Sequence, residues 1–168
     1  MTEWNGLVPC DMSDVEMIEL QANNDSCDPL EFEFPVRGHS SVVTSRGILT
    51  CGGLSRIYRE QLSKCILQRK EGKTRSFPSM VRSRRYFGLA ENRNKLFAIG
   101  GIGAENKMET VAIHGDQWVE ENLPFNTSGN CVVSVNDTII SIGGLQDNEK
   151  VSDFIGLGMI KENRHKYE

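Results

Sequence analysis

The chain has 168 residues, a formal net charge of −4 and an isoelectric point near 5.5, so it carries no general nucleic-acid or anionic-membrane footprint. No run approaches 18 apolar residues, which leaves no membrane-span candidate, and 16 glycines suit a turn-rich all-β fold in one ordinary domain. The start Met1-Thr2-Glu3-Trp4 lacks the charged and apolar regions of a signal peptide, an absence of little weight in a chain expected to begin inside a repeating unit.

Residues 1–36 read as the outer half of one unit. Asn5-Gly6 is a degraded turn, Val15 to Leu20 alternates well enough for a strand, and the Asn/Asp/Ser-rich stretch Gln21 to Pro29 is a loop. Leu30-Glu31-Phe32-Glu33-Phe34 alternates apolar and acidic residues as an edge strand, halted by Pro35. Its carboxylates discourage edge pairing with other molecules.

Residues 37–81 form a full unit. Gly38 to Val43 is a candidate innermost strand, Ser45-Arg46-Gly47 a hairpin turn, and Ile48-Leu49-Thr50-Cys51 an apolar strand running into Gly52-Gly53. The loop Leu54 to Leu62, a strand at Cys65-Ile66-Leu67, the basic turn Arg69 to Lys73 and a strand ending at Phe77-Pro78 complete it. Residues 82–125 repeat this order. Tyr86 to Ala90 is the inner strand, Asn92-Arg93-Asn94 the turn, and Leu96-Phe97-Ala98-Ile99 the apolar run before Gly100-Gly101. Met108 to Ile113 follows, and Gly115-Asp116 turns the chain into Gln117-Trp118-Val119. Residues 126–168 begin a third copy with Gly129 to Val133, the turn Asn136-Asp137, and Ile139 to Ile142 before Gly143-Gly144. After Val151 to Ile155 the pattern decays, and Lys161 to Glu168 is a charged, frayed end.

The second glycines of the doublets, with Gly6, fall at positions 6, 53, 101 and 144, in steps of 47, 48 and 43 residues. The pairs Phe34-Pro35, Phe77-Pro78 and Leu123-Pro124, and the single glycines Gly38, Gly88 and Gly129, keep the same beat. An apolar, β-rich run suits a strand buried on both faces; glycine ends it by reaching φ > 0 and admitting a close backbone. Four short antiparallel strands per unit of about 45 residues make a propeller blade. We therefore predict an all-β propeller fragment. It has about two complete four-stranded blades, 37–81 and 82–125, between partial blades 1–36 and 126–168. Trp118, on an otherwise amphipathic strand, is expected to pack between its blade and the neighbour.

Five cysteines (Cys10, Cys27, Cys51, Cys65, Cys131) form no Cys-x-x-Cys pair, and His39, His114 and His165 are scattered, so no metal ligand is assigned. Two readings stay open for the cysteines. They are small buried hydrophobes of a cytosolic protein, or Cys51 and Cys65, on strands that should pair, form a disulfide in an oxidising compartment.

These residues resemble the kelch repeat. Arg82 to Arg85, Gly100-Gly101, Trp118 and Leu123-Pro124 carry the likeness in the second unit; His39, Gly52-Gly53 and Phe77-Pro78-Ser79-Met80 carry it in the first. Thr74 stands where the first unit should have its tryptophan, and the tyrosine common before the doublet is missing throughout. The set Cys27, Cys51-Gly52-Gly53 and Cys65 looks more like secreted invertebrate kelch-type proteins than intracellular adaptors, and favours a secretory over a cytoplasmic location. Kelch propellers close with about six or seven blades, and a ring of units of about 50 residues needs roughly 300. The chain is therefore expected to be part of a longer protein, an open fan, or one of several self-associating copies that complete a ring.

The resemblance implies a non-enzymatic module that binds a protein partner through blade loops. In kelch propellers, arginines and serines opening the innermost strands line a mouth of the central channel where acidic peptides bind. Arg82, Arg84 and Arg85, with Arg37 and Ser40 one unit earlier, are similar to those residues. Arginine's planar fork suits a carboxylate; the competing reading is a solvated basic loop. Replacing Arg84 and Arg85 by alanine is expected to weaken an acidic partner and leave folding intact. One alternative is the substrate-recognition part of a BTB-kelch ubiquitin-ligase adaptor. Another is a piece of a carbohydrate-active propeller enzyme, similar to the copper oxidase of galactose or the sialic-acid epimerase. Tyr58, Tyr86 and Tyr167 do not match the oxidase's copper set. His39 beside Ser40 and Ser41 has no orienting third group, and Gly101-Ile102-Gly103 has no following helix to bind phosphate. No catalytic residue or cofactor is assigned.

Overall fold

Alternating side chains and tight turns decide nearly all of the architecture. The computed structural model describes residues 14–17, 28–31, 36–69, 73–145 and 158–161. In chain order its strands are β1 (Asp14–Met17), β2 (Asp28–Glu31), β3 (Val36–Arg37), β4 (Ser40–Thr44) and β5 (Gly47–Cys51). Then come β6 (Leu54–Ser55), β7 (Cys65–Gln68), β8 (Thr74–Phe77), β9 (Gly88–Asn92) and β10 (Lys95–Ile99). The last are β11 (Lys107–Ala112), β12 (Val119–Asn122), β13 (Cys131–Val135), β14 (Thr138–Ile142) and β15 (Gly158–Lys161).

Two four-stranded antiparallel sheets, β4-β5-β7-β8 and β9-β10-β11-β12, are the two complete blades. A three-stranded sheet, β13-β14-β15, follows them, and β1 pairs with β2 before them. The turns obey local chemistry. Arg93 and Asn94 both take φ > 0, as a two-residue type I′ hairpin demands.

β10 shows why a continuous apolar run is needed. Leu96 and Ala98 point into one core with Leu49, Leu67, Phe77 and Met80 of the first blade, and with Val111 and Trp118 of their own. Phe97 and Ile99 point the other way, into a second core with Met108, Leu123 and Ile139 of the third sheet. The strand is thus buried on both faces, and each core lies between two blades. The first strands β4, β9 and β13 are the ones that meet across the sheets. They line a cavity of about 550 Å³ that includes Val42, Val43, Leu89, Val132 and Val133.

Some sequence boundaries move. β2 begins at Asp28 rather than Leu30, so Pro29 sits inside a ladder opposite Glu16, a position tolerated on an edge strand. Phe32 to Phe34, Asn5-Gly6 and Ile18 to Leu20 lie outside the described residues, as do Val151 to Ile155. The partner of β14 is β15, in which Ser141 faces Gly158 and Thr138 faces Lys161. Lys161, read as the start of a frayed end, thus closes that strand.

Gly88 does not belong to the beat of single glycines. Tyr86 N donates to Gly38 O (2.7 Å), and Gly129 N donates to Tyr86 O (2.6 Å). The three equivalent residues, one per blade, are therefore Gly38, Tyr86 and Gly129, all at φ between 53 and 68°. Gly88 lacks a Cβ for another reason: one there would run into the Val132 side chain of β13.

Candidate functional site

The glycine doublets are where each complete blade is joined to the next. Each doublet turns the chain at φ > 0, and in the two complete blades its second member hydrogen-bonds the segment leading into the next blade. Gly53 N donates to Arg84 O and Gly101 N to Thr127 O, both at 2.8 Å. A Cβ on Gly52 would lie 2.6 Å from Arg84 O, and one on Gly100 would strike Thr127. In the third sheet a Cβ on Gly144 would lie 2.8 Å from Ser128 O, whereas Gly143 has open space. Backbone pairs then repeat around the axis: Arg37 with Leu54, Arg85 with Ile102, and Ser128 with Leu145. Arg37 and Arg85 are therefore equivalent residues of successive blades, at the same end. Ser40 opens β4 opposite Cys51 and is half-buried.

The basic run Arg82-Ser83-Arg84-Arg85 does not act as one patch, because its three arginines diverge. Arg82 turns outward to Glu120 of β12, its Nε 2.7 Å from a carboxylate oxygen. That hydrogen bond and charge raise the Arg82 pKa and lower that of Glu120. Arg84 goes inward and is 0% exposed, in an ion pair with the equally buried Glu109. It donates to Gly100 O at 2.9 Å and also reaches Ala98 O and Lys107 O. Glu109 in turn accepts from the Val81 and Arg82 amides (2.6 and 2.9 Å). Burial pushes the Arg84 pKa down, opposed by the charge of Glu109. Arg84 is thus neither a partner contact nor part of a solvated loop. It staples the inter-blade segment to the second blade, and its removal is a folding matter.

Arg85 follows neither of the other two. Its guanidinium lies 6.0 Å from the Tyr86 ring, and its buried Nε has no hydrogen-bond partner.

Two further arginines join Arg37. Arg37, Leu54, Ser55, Arg56 and Arg59 line a cavity of about 360 Å³. The loop that brings Arg56 and Arg59 there is ordered by Ser55 N to Glu60 O (2.9 Å), Arg59 N to Ser55 O (3.0 Å) and Tyr58 N to Ser55 Oγ (3.2 Å). Its tip exposes Ile57 and Tyr58, 68% and 74% accessible. Gln61 braces it against the next blade, donating to Ile102 O (2.6 Å) and Ser83 O (3.1 Å). The usable signal was the length of this loop beside the shorter one after Gly100-Gly101.

Trp118 is buried, donates Nε1 to Pro78 O (2.8 Å) and meets the Phe77 ring edge-on at 6.5 Å, so it spans two blades. Cys51 and Cys65 are directly opposed and disulfide-bonded, and Cys131 is free and exposed. Cys10, Cys27, His165 and Tyr167 lie outside the described residues. Among the described residues no group of three or more His, Cys, Asp or Glu could hold a metal ion, and no helix is long and apolar enough to cross a membrane.

No protein-family model matches the chain. It is similar to Kelch-like protein 40b of Danio rerio, with 32% identity over 127 residues, 68% of this chain and 21% of that protein. Kelch-like protein 40 of Xenopus laevis is 26% identical over 130 residues, 75% of this chain and 21% of its own length. Kelch-like protein 41b of Danio rerio is 34% identical over 82 residues, 45% of this chain and 14% of its own. The chain spans about a fifth of the length of the first curated relatives it matches.

Proposed function

We propose that this kelch-repeat region, distantly homologous over most of its length to Kelch-like proteins 40 and 41, is a non-enzymatic module that docks an acidic protein segment at the Arg37–Arg85 end of its channel. The observation that carries this reading is the equivalence of Arg37 and Arg85, which open successive blades at one end. Two guanidinium forks in repeated positions, with Arg56 and Arg59 at the rim, suit carboxylates spaced along a peptide. Ordered loops on a rigid sheet scaffold are where binding residues concentrate. Arg82 and Arg84 have no part in this, one being paired with Glu120 and the other buried. Ser40 is a weaker candidate contact, kept for its place beside Arg37 at the head of β4.

The test is titration with a synthetic Asp/Glu-rich peptide and a Lys-substituted control. Binding should weaken as salt rises, and Arg37→Ala/Arg85→Ala should reduce affinity about tenfold or more. Affinity unchanged by the double substitution would remove the reading.

Likeness to Kelch-like proteins also supports the adaptor version, in which the same face recognises the substrate of a BTB-kelch ubiquitin ligase. The Cys51–Cys65 bridge supports a secreted or cell-surface version instead. Relatives of the Kelch-like type favour either over a sugar-oxidising or epimerising enzyme. Alkylation of the native protein in cells separates the two: a bridged Cys51–Cys65 pair favours the secreted form, and free thiols favour the adaptor.

A further inference from the structure

Cys51 and Cys65 face each other at the root of the loop that carries Arg56 and Arg59. The second blade shows what that position requires when the loop is short. Gly100 N donates to Lys107 O as Gly52 N donates to Lys64 O, both at 2.9 Å. Ile99 and Met108, opposed in the same way, therefore stand where the two cysteines stand. Between them the short chain is held by the local bonds Ala104 N to Gly101 O and Lys107 N to Ala104 O, and by bonds to neighbouring segments such as Gly101 N to Thr127 O and Ile102 N to Arg85 O. An apolar pair is enough there.

In the first blade the same root must hold residues 53–64. That longer loop costs more conformational entropy to keep in one shape, and Ile57 and Tyr58 at its tip are exposed and add no apolar cover. Among the described residues the one disulfide closes this loop. Both cysteines are buried beside Phe77 and Met80, so the bond is shielded and its role is permanent rather than switched.

We propose that Cys51 and Cys65 are positioning residues: their covalent link at the loop root holds Arg56 and Arg59 beside Arg37 in the shape that meets an acidic partner. The affinity part rests on the protein-binding reading above; the loop-ordering part does not.

The experiment compares the oxidised protein with Cys51→Ala/Cys65→Ala and with Cys51→Val/Cys65→Val, the second pair keeping an apolar contact like that of Ile99 with Met108. In both variants the amides of Ser55, Arg59 and Leu62 should exchange about tenfold or more faster. Trypsin should cut sooner after Arg56 or Arg59, while the amides of β10 keep their protection. Dissociation of the Asp/Glu-rich peptide should quicken in step. Full loop protection in the valine pair would overturn the proposal, since packing alone would then do the work. Parallel loss of protection in the loop and in β10 would also overturn it, since the bond would then only stabilise the whole fold. Loop loosening as expected, in a protein whose oxidised form ignores the acidic peptide, would establish the loop clamp and remove the binding reading alone.

Discussion

Arg84 and Glu109 show how far a residue's neighbours can decide its job. Arginine in a basic run reads as solvated or partner-facing, yet the Arg84 side chain is fully buried and paired with Glu109, with three backbone carbonyls within its reach. Removing one member of such a pair leaves an uncompensated charge in the interior. Arg84→Ala should therefore cost about 3–5 kcal/mol of stability, measured by denaturant unfolding. Arg85→Ala should cost little and act on binding. Gly88→Ala drives a methyl into Val132 and should cost about 1–3 kcal/mol in the same assay. The left-handed Tyr86 illustrates the opposite limit. A tyrosine gives no sequence sign of φ > 0, whereas Gly38 and Gly129 at the equivalent places do.

At the scale of elements, the apolar tetrads were legible because burial on both faces leaves no room for polar alternation. Leu96 is 0% exposed, and Leu96→Ala should cost about 2–5 kcal/mol, with unfolding midpoints as the measure. Trp118 is held by packing and by its hydrogen bond to Pro78 O; Trp118→Phe should lose about 1 kcal/mol for the bond and more for the lost volume. Strand ends were less legible. β15 pairs with β14 at Gly158–Lys161, where the sequence gives no alternating signal, because the partner strand sets the register. The stretch carrying Arg56 and Arg59 was legible only as a loop, since its brace from Gln61 to Ile102 O joins residues distant in sequence.

Across the whole molecule, the blades stabilise one another through cores that lie between them. In the native protein an alkylating reagent should label Cys131 at once and reach Cys51 and Cys65 only after reduction and unfolding, which peptide mass mapping would show. The repeat, the strands and the all-β class were determined by sequence alone, because glycine doublets and apolar runs encode local conformation and burial directly. The directions of the arginines were settled only by tertiary structure. Arg82 turns outward to Glu120 of β12 and Arg84 inward to Glu109 of β11, whereas Arg85 lies by the ring of its chain neighbour Tyr86. The two glutamates come from strands distant in sequence, and only the assembled sheet sets their distances.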